Sequence, residues 1–389
     1  MSSPQLLRIT TVPISLKTLL KGQHRFMSQN GFDVLGVSSS GNALNEVAQN
    51  EKIAVYTVEM TRIISPLKDI KSLWSFYKLC KRERPAIVHS HTPKAGIVGM
   101  LGAKLAGVPI RLHTVAGLPL MEATGRKRKL LDFVEKLTYS CATKVYPNSK
   151  GLYDFILENN FTAEEKLKVI ANGSSNGIDT TYFSAQAITQ EQIITLKTGL
   201  GIHENDFVYV FVGRLVGDKG INELISAFSN LKPETLNFKL LLVGPFETEL
   251  DPLLPKTISA IESNPNIISV GFQADVRPYF AISDCLVFPS YREGFPNVVL
   301  QAGAMGLPSI VTNINGCNEI IEEGINGLII PPKDIMALQN AMISLLEDKN
   351  VYKNLKNNAR QMITSRYEQK LVWEALLEEY RRLLEGIRD

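Results

Sequence analysis

The residues with the clearest chemistry stand in two stretches of the second half of the chain. Phe211-Val-Gly-Arg-Leu-Val-Gly-Asp-Lys-Gly220 follows an apolar run and carries two cations of different kind, Arg214 and Lys219. A planar guanidinium fork and a mobile ammonium charge together suit a diphosphate. Gly213 lets the backbone turn tightly where a strand ends. Pro289-Ser-Tyr-Arg-Glu-Gly-Phe-Pro-Asn-Val-Val-Leu-Gln301 passes from an apolar run, through an acidic turn containing Gly294, into a helix that Pro296 opens. Proline at a first helical position gives up only an amide that would have had no partner. The amides from Asn297 onward, with the helix dipole, then favour a negative ligand by about 0.3–1 kcal/mol. Glu293 can accept two hydroxyl hydrogen bonds, which suits a sugar ring. Gln301 lies eight positions after it, and Phe295 sits between them. The competing readings pair Arg214 and Lys219 with surface carboxylates such as Asp218, and Glu293 with Arg292.

Leu240–Glu247, which contains Gly244, and Ile268–Phe272 are strand-to-turn corners in the same half. They could hold a base through backbone groups and the Phe272 ring, and are equally ordinary strand ends. In the first half, Ile87-Val-His-Ser-His-Thr-Pro-Lys94 and Arg111-Leu-His-Thr-Val-Ala-Gly-Leu-Pro119 each put a histidine at a strand's carboxyl end. His91 and His113 are therefore expected to face a ligand cleft, where an imidazole can donate to a developing oxyanion or shuttle a proton. Two histidines without a third clear ligand make a poor zinc site, and no acidic metal cluster stands out, so no metal is expected.

The elements that must position these residues alternate along the chain. Short apolar runs, such as 6–12, 87–89, 110–115, 144–147, 168–170, 207–212, 239–243 and 284–288, read as buried strands, with helical patterns between them at 68–84, 125–141, 221–231 and 297–305. Such alternation argues for parallel sheets covered on both faces. The 389-residue length favours two domains. The fold class is α/β, two doubly wound Rossmann-like domains facing across a cleft, with ligands beyond the carboxyl ends of the strands. The turn-rich segment Asn172–Asp179 opens the joint, near 172–205. The expected divisions are 1–185, 186–365 and a last helical segment, 366–389, packing back toward the first domain.

Net charge is +3, but residues 1–185 hold 24 Lys/Arg against 14 Asp/Glu, and residues 186–389 hold 18 against 25. The basic first half therefore expects an anionic partner. Arg126-Lys-Arg-Lys129 leads into an amphipathic helix, and near an anionic bilayer each cation would contribute about 1 kcal/mol. No secretory signal and no membrane-spanning run is apparent, and four widely spaced cysteines fit a reducing compartment. These features together anticipate a cytoplasmic protein.

Taken together, Gly-Arg-Leu-x3-Lys-Gly, Asn-Gly-Ile-Asp at 176–179 and Ser-Tyr-Arg-Glu-Gly-Phe-Pro resemble a retaining glycosyltransferase of family 4, with the GT-B fold. The resemblance covers nearly the whole chain. It implies that Arg214 and Lys219 hold a donor diphosphate, that Glu293 contacts the donor sugar as the first acid of a Glu-x7-Glu signature, and that His113 lies near the transferred group. His91, Lys94 and His113 would then form the acceptor side. The tone of the first half is similar to enzymes of bacterial capsule, O-antigen and lipid-linked oligosaccharide assembly. That implies a UDP-sugar donor, no tightly bound cofactor, a polyprenyl-diphosphate-linked saccharide acceptor and peripheral attachment to the inner face of the cell membrane, with no nucleic-acid partner.

Two departures matter. Gln301 stands where the family has a second glutamate on the nucleotide ribose, and the loop after the first strand lacks the family's paired glycines. The alternatives are a UDP-sugar epimerase of the same fold and a catalytically weak, membrane-associated scaffold.

Overall fold

A computed structural model describes residues 3–387 except 62, 64, 233–236, 248 and 250. The chain forms two units, Met1–Gly177 with Gln369–Asp389, and Ile178–Glu368. The first holds a six-stranded parallel sheet made of β1 (Gln5–Ile9), β2 (Asp33–Ser38), β3 (Ala54–Thr57), β4 (Ile87–Ser90), β5 (Ile110–Val115) and β6 (Lys144–Pro147), in the order β3-β2-β1-β4-β5-β6. The second holds β7 (Phe207–Val212), β8 (Phe238–Val243), β9 (Ile267–Ser269), β10 (Cys285–Phe288), β11 (Ser309–Thr312) and β12 (Gly327–Ile330), in the order β12-β11-β10-β7-β8-β9. The two orders are the same when each unit is counted from its own first strand. In each, the winding reverses between the first and fourth strands, and at such a switch point an open crevice forms beyond the carboxyl ends.

The strand sequences explain the burial. Along β1, Leu7 and Ile9 enter one hydrophobic cluster while Leu6 enters another, and β4 divides Val88 from Ile87 in the same way. Alternate side chains thus feed two cores, as a sheet covered by helices on both faces requires. In β7 and β10 nearly every residue is buried, from Val208 to Val212 and from Cys285 to Phe288.

Three sequence expectations need correction. Residues 168–170 form no strand; just before them an isolated bridge joins Val145 and Leu167, and the Lys168 amide donates to the Val145 carbonyl at 3.1 Å. Residues 178–185 fall in the second unit rather than the first, with Ile178 in its core. The last helical segment, expected from 366, begins only at Gln369: two helices, Lys349–Tyr367 and Gln369–Glu385, are separated at Glu368, whose backbone is extended. The first packs Ile363 against Gly303, where an added Cβ would lie 2.5 Å from the isoleucine.

The final helix belongs to the first unit. Tyr380 Oη lies 2.6 Å from His89 Nδ1 and accepts from Arg8 Nη2 at 2.9 Å, while Trp373 Nε1 donates to Asn176 at 2.6 Å. Glu379 is buried, which disfavours its charge, but Arg382 and Lys168 bond to it and hold its pKa at about 2. The four cysteines are free and buried, and among the described residues no helix is long and apolar enough to cross a membrane.

Candidate active site

The switch point of the second unit lies between β7 and β10, and both chemistry-bearing stretches leave the sheet there. After β7 the chain turns through 217–220, and Gly220 takes φ +71 with its backbone pressed on Pro289; a Cβ would overlap the Pro289 carbonyl oxygen. The Tyr291 amide donates to the Asp218 carbonyl at 2.9 Å, stitching the two loops together. One strand over, Gly244 (φ +150) touches Gly213 so closely that a Cβ would overlap the Gly213 carbonyl oxygen. These two glycines are fixed by close approach of backbone to backbone.

The stitching brings Lys219 and Glu293 together. The ammonium is ion-paired with Glu293 Oε1, and each side chain is only 17% exposed. Ser290 Oγ donates to the same carboxylate oxygen at 2.9 Å. Arg214 is paired with Glu247 and half exposed, whereas Asp218 is taken by Arg292 at 2.8 Å. Of the competing pairings read from the sequence, Arg214 does take a surface carboxylate, Glu247, whereas Lys219 takes Glu293 and Arg292 takes Asp218. The 293–294 corner is held from β11: Asn315 Nδ2 donates to the Glu293 carbonyl at 3.1 Å and the Gly294 carbonyl at 2.5 Å.

The helix that follows is Asn297–Ala304, with Pro296 as its capping residue rather than its first helical one. Asn297 and Gln301 lie one turn apart on its outward side, while Val299 and Leu300 are buried. Phe295 departs from the expectation of a ligand contact: its ring is buried, 5.4 Å from Tyr367. The sequence YREGFP turns this phenylalanine inward because the loop must close over the core before the helix begins. Phe272 is 73% exposed beyond β9, next to the Gly271 carbonyl that accepts from the Gly244 amide.

The histidine-bearing strand ends of the first unit look different. His113 lies on β5 with its ring against the Pro93–Ala106 helix; Gly96 leaves room for it, since a Cβ there would be 2.6 Å from His113 Cε1. Its Nδ1 bonds to Ser90 Oγ at 2.8 Å, and burial pushes its pKa down to about 4. The ring faces the core, so the expectation that His113 reaches an open cleft is corrected. His91, just past β4, instead lines a cavity of about 20 Å³ with Thr114, Asn148 and Ser175. Both of its ring nitrogens lack a hydrogen-bond partner, as do Asn148 Oδ1 and Ser175 Oγ. Burial, then the neighbouring His89 and Arg8, drives the His91 pKa well below the ordinary range. Lys94 is ion-paired with Asp69 at 2.5 Å. His91, His113 and Lys94 thus go to three separate places.

Sequence reasoning missed Ser290 and Asn315 in the second unit, and Thr11 and Thr92 in the first, whose hydroxyls meet at 2.7 Å across the β1/β4 switch point. The available signal was position: each is a small polar residue within a few places of a strand's carboxyl end. Chemically, the second unit offers an ammonium and a carboxylate that hold one another. A ligand carrying both a diphosphate and a polyhydroxyl ring could take over each partner separately. Among the described residues, no cluster of three or more metal-ligating side chains occurs.

Comparisons with known proteins identify the family. The profile described as "Glycosyl transferases group 1" matches residues 192–362, and that described as "Glycosyl transferase 4-like domain" matches residues 27–173. The capsular polysaccharide biosynthesis glycosyltransferase CapM of Staphylococcus aureus is 33% identical, over 99% of this chain and 98% of its own length. The UDP-Gal:alpha-D-GlcNAc-diphosphoundecaprenol alpha-1,3-galactosyltransferase of Escherichia coli is 30% identical, over 92% of this chain and 93% of its own. Among solved structures, HepE from Anabaena, in complex with UDP and glucose, has a TM-score of 0.79 over 97% of this chain and 100% of its own, at 19% identity, a likeness of fold. The chain belongs to the group 1 glycosyltransferases, of the family 4, GT-B type that acts in bacterial capsule and lipid-linked saccharide synthesis.

Proposed function

We propose that this glycosyltransferase moves a sugar from a UDP-sugar to a saccharide carried on a polyprenyl diphosphate at the inner face of the membrane, with retention at the anomeric carbon. The observation that carries the reading is the Lys219–Glu293 pair at the β7/β10 switch point, on the two loops that also carry Arg214 and lead into the Asn297–Ala304 helix. The relatives support the substrate classes: the E. coli protein is named for UDP-Gal and a diphosphoundecaprenol-linked acceptor.

In the reaction, the bond from the anomeric carbon to the diphosphate oxygen breaks and a bond to an acceptor hydroxyl oxygen forms on the same face. The hydroxyl proton passes to the departing diphosphate. Lys219 leaves Glu293 for the diphosphate, where Arg214 and the helix amides add to the stabilisation of its growing charge. Glu293, released and still held by Ser290, accepts from the donor sugar's hydroxyls. Gln301 faces the ribose diol. His113 is left out of the chemistry because its ring is enclosed in the core. The reading is a single same-face exchange without a covalent intermediate.

The test incubates the purified protein with individual UDP-sugars and polyprenyl-diphosphate saccharides, with and without EDTA. UDP release that depends on the lipid acceptor, unaffected by EDTA, with an axial donor linkage preserved in the product by NMR, is the expected result. Conversion of one UDP-sugar into another without acceptor would replace it with an epimerase, and absence of UDP binding in calorimetry would leave only a scaffold.

A further inference from the structure

The sheet register gathers a polar group on one face of the first unit. β1 pairs Arg8 with His89 of β4, and β5 sets Thr114 beside Tyr146 of β6. Because side chains alternate along a strand, Arg8, His89, Thr114 and Tyr146 point to the same side, which the final helix covers with Leu376 and Tyr380. Arg8 is fully buried, yet among the described residues no carboxylate pairs with it; Gln23 Oε1 and Tyr380 Oη accept from it instead. A buried charge left to neutral partners is costly, and here it imposes a direction on the groups around it.

An arginine can only donate, so Tyr380 Oη accepts from it at 2.9 Å and turns its own proton to His89 Nδ1, 2.6 Å away. Burial, then Arg8 and His113, holds the His89 pKa well below the ordinary range. The ring is thus neutral, its single N–H is at Nε2, and that group donates to Thr114 Oγ1 at 2.7 Å. Thr114 lines the cavity of about 20 Å³, and its own proton has no acceptor among the described residues. Around that space His91 is 4% exposed with both ring nitrogens unpartnered, and Asn148 Oδ1 and Ser175 Oγ lack partners too. About 10–15 Å³ suffices for one water, so the space takes a single oxygen with its protons. The guest must accept from Thr114 and donate to Asn148 Oδ1. An ammonium cannot do the first, and a phosphate or carboxylate oxygen cannot do the second; a hydroxyl does both.

We propose that Arg8, Tyr380, His89 and Thr114 form a one-way hydrogen-bond chain that orients a neutral hydroxyl in the cavity beside His91, supplied by a resident water or by the saccharide acceptor. The second source rests on the reading that a saccharide is the acceptor; the chain itself does not. The buried guanidinium polarises each link in turn, which makes Thr114 a stronger donor than an isolated threonine. Arg8, Tyr380 and His89 are positioning residues, since they act on the guest through Thr114.

With five histidines in the chain, 15N-labelled imidazoles report on it directly. In the ligand-free protein, His89 should carry its proton on Nε2 in long-range 1H–15N spectra, and Tyr380→Phe should abolish that preference. A proton on Nδ1 in the unsubstituted protein would reverse the chain and overturn the proposal, while acceptor-dependent UDP release would still stand. Water protons should cross-relax with the His91 ring in the ligand-free protein; no such contact would overturn the site. Adding the polyprenyl-diphosphate saccharide then separates the sources. Contacts that persist assign a resident water, with acceptor KM unchanged in Thr114→Val. Contacts that vanish assign a saccharide hydroxyl, and Thr114→Val should then raise acceptor KM about three- to tenfold, with Thr114→Ser restoring it. An unchanged KM once the contacts vanish would overturn the proposal.

Discussion

The two sheets have the same strand order, yet their switch points hold opposite chemistry. Between β7 and β10 lies a part-buried ion pair, Lys219 with Glu293, and the same two loops carry the half-exposed Arg214 and Arg292. Between β1 and β4 lie two threonine hydroxyls, and beyond β4 to β6 a small cavity bounded by neutral His91 and by unpartnered amide and hydroxyl oxygens. The scaffold therefore supplies only the place. Charge placed there suits a charged, departing group, whereas neutral polar groups suit hydroxyls that must be oriented without being ionised. On the proposed reading, the division of labour between donor and acceptor would follow from which loops carry lysine and glutamate and which carry threonine, asparagine and histidine.

The largest effect should come from removing the ammonium. Lys219→Ala is expected to lower kcat by about 10²–10³, the usual loss when one preorganised stabiliser of developing charge goes. Lys94→Ala, which breaks the Asp69 ion pair in the first unit, should cost less than about tenfold. Steady-state kinetics on both variants checks the contrast; equal losses would erase the distinction between the switch points.

The fold was legible in the sequence where burial is continuous. Strands such as Phe207–Val212 and Gly327–Ile330 are apolar throughout, so their bounds follow from composition, and the Gly125–Cys141 helix announces its start with a glycine and a cation run. What sequence could not tell is which face of a strand a residue takes. His113 and Thr114 are neighbours on β5, yet the pleat sends His113 under a helix and Thr114 to the cavity. The break at Glu368 was equally hidden, because residues 361–376 contain neither glycine nor proline. The Lys219–Glu293 pair joins residues 74 positions apart, and only the switch-point order brings their loops together.

A second, smaller contrast lies in acid stability. His24, His89, His91 and His113 are buried in the first unit, with desolvation lowering every one of their pKa values, His113 to about 4. The folded chain refuses protons that the unfolded chain takes up near pH 6.5, so stability falls as pH drops below that value. Glu135 opposes this: burial raises its pKa to about 7, so it holds a proton that the unfolded chain releases. Four groups against one leave a net loss of about 2–4 kcal/mol between pH 7 and 5.5. Both tryptophans lie in the first unit, so the urea midpoint followed by tryptophan fluorescence should fall over that range. Hydrogen-exchange protection of β7 and β10, corrected for intrinsic rates, should hold, since the second unit's histidine, His203, is exposed. A flat fluorescence midpoint would mean that the histidines are solvated and that the neutral character of the first switch point is wrong.

The finest comparison is within the second unit, between Glu293, which has a cation to balance it, and Gln301, which is neutral. Gln301 stands on the outward side of the Asn297–Ala304 helix, one turn beyond Asn297. If it holds the ribose diol, a carboxylate there would replace a neutral hydrogen bond worth about 1 kcal/mol with a charge-assisted one worth about 1.5–3. Gln301→Glu should therefore tighten UDP binding in calorimetry by roughly three- to tenfold, less whatever the added negative charge costs next to a diphosphate. The repulsive part acts on any uridine diphosphate, whereas the attractive part needs both hydroxyls. Comparing UDP with its 2′-deoxy analogue separates them: the variant should gain on UDP and lose on the deoxy form. Equal changes on both ligands would place Gln301 away from the ribose and leave the donor to Lys219, Glu293 and Arg214.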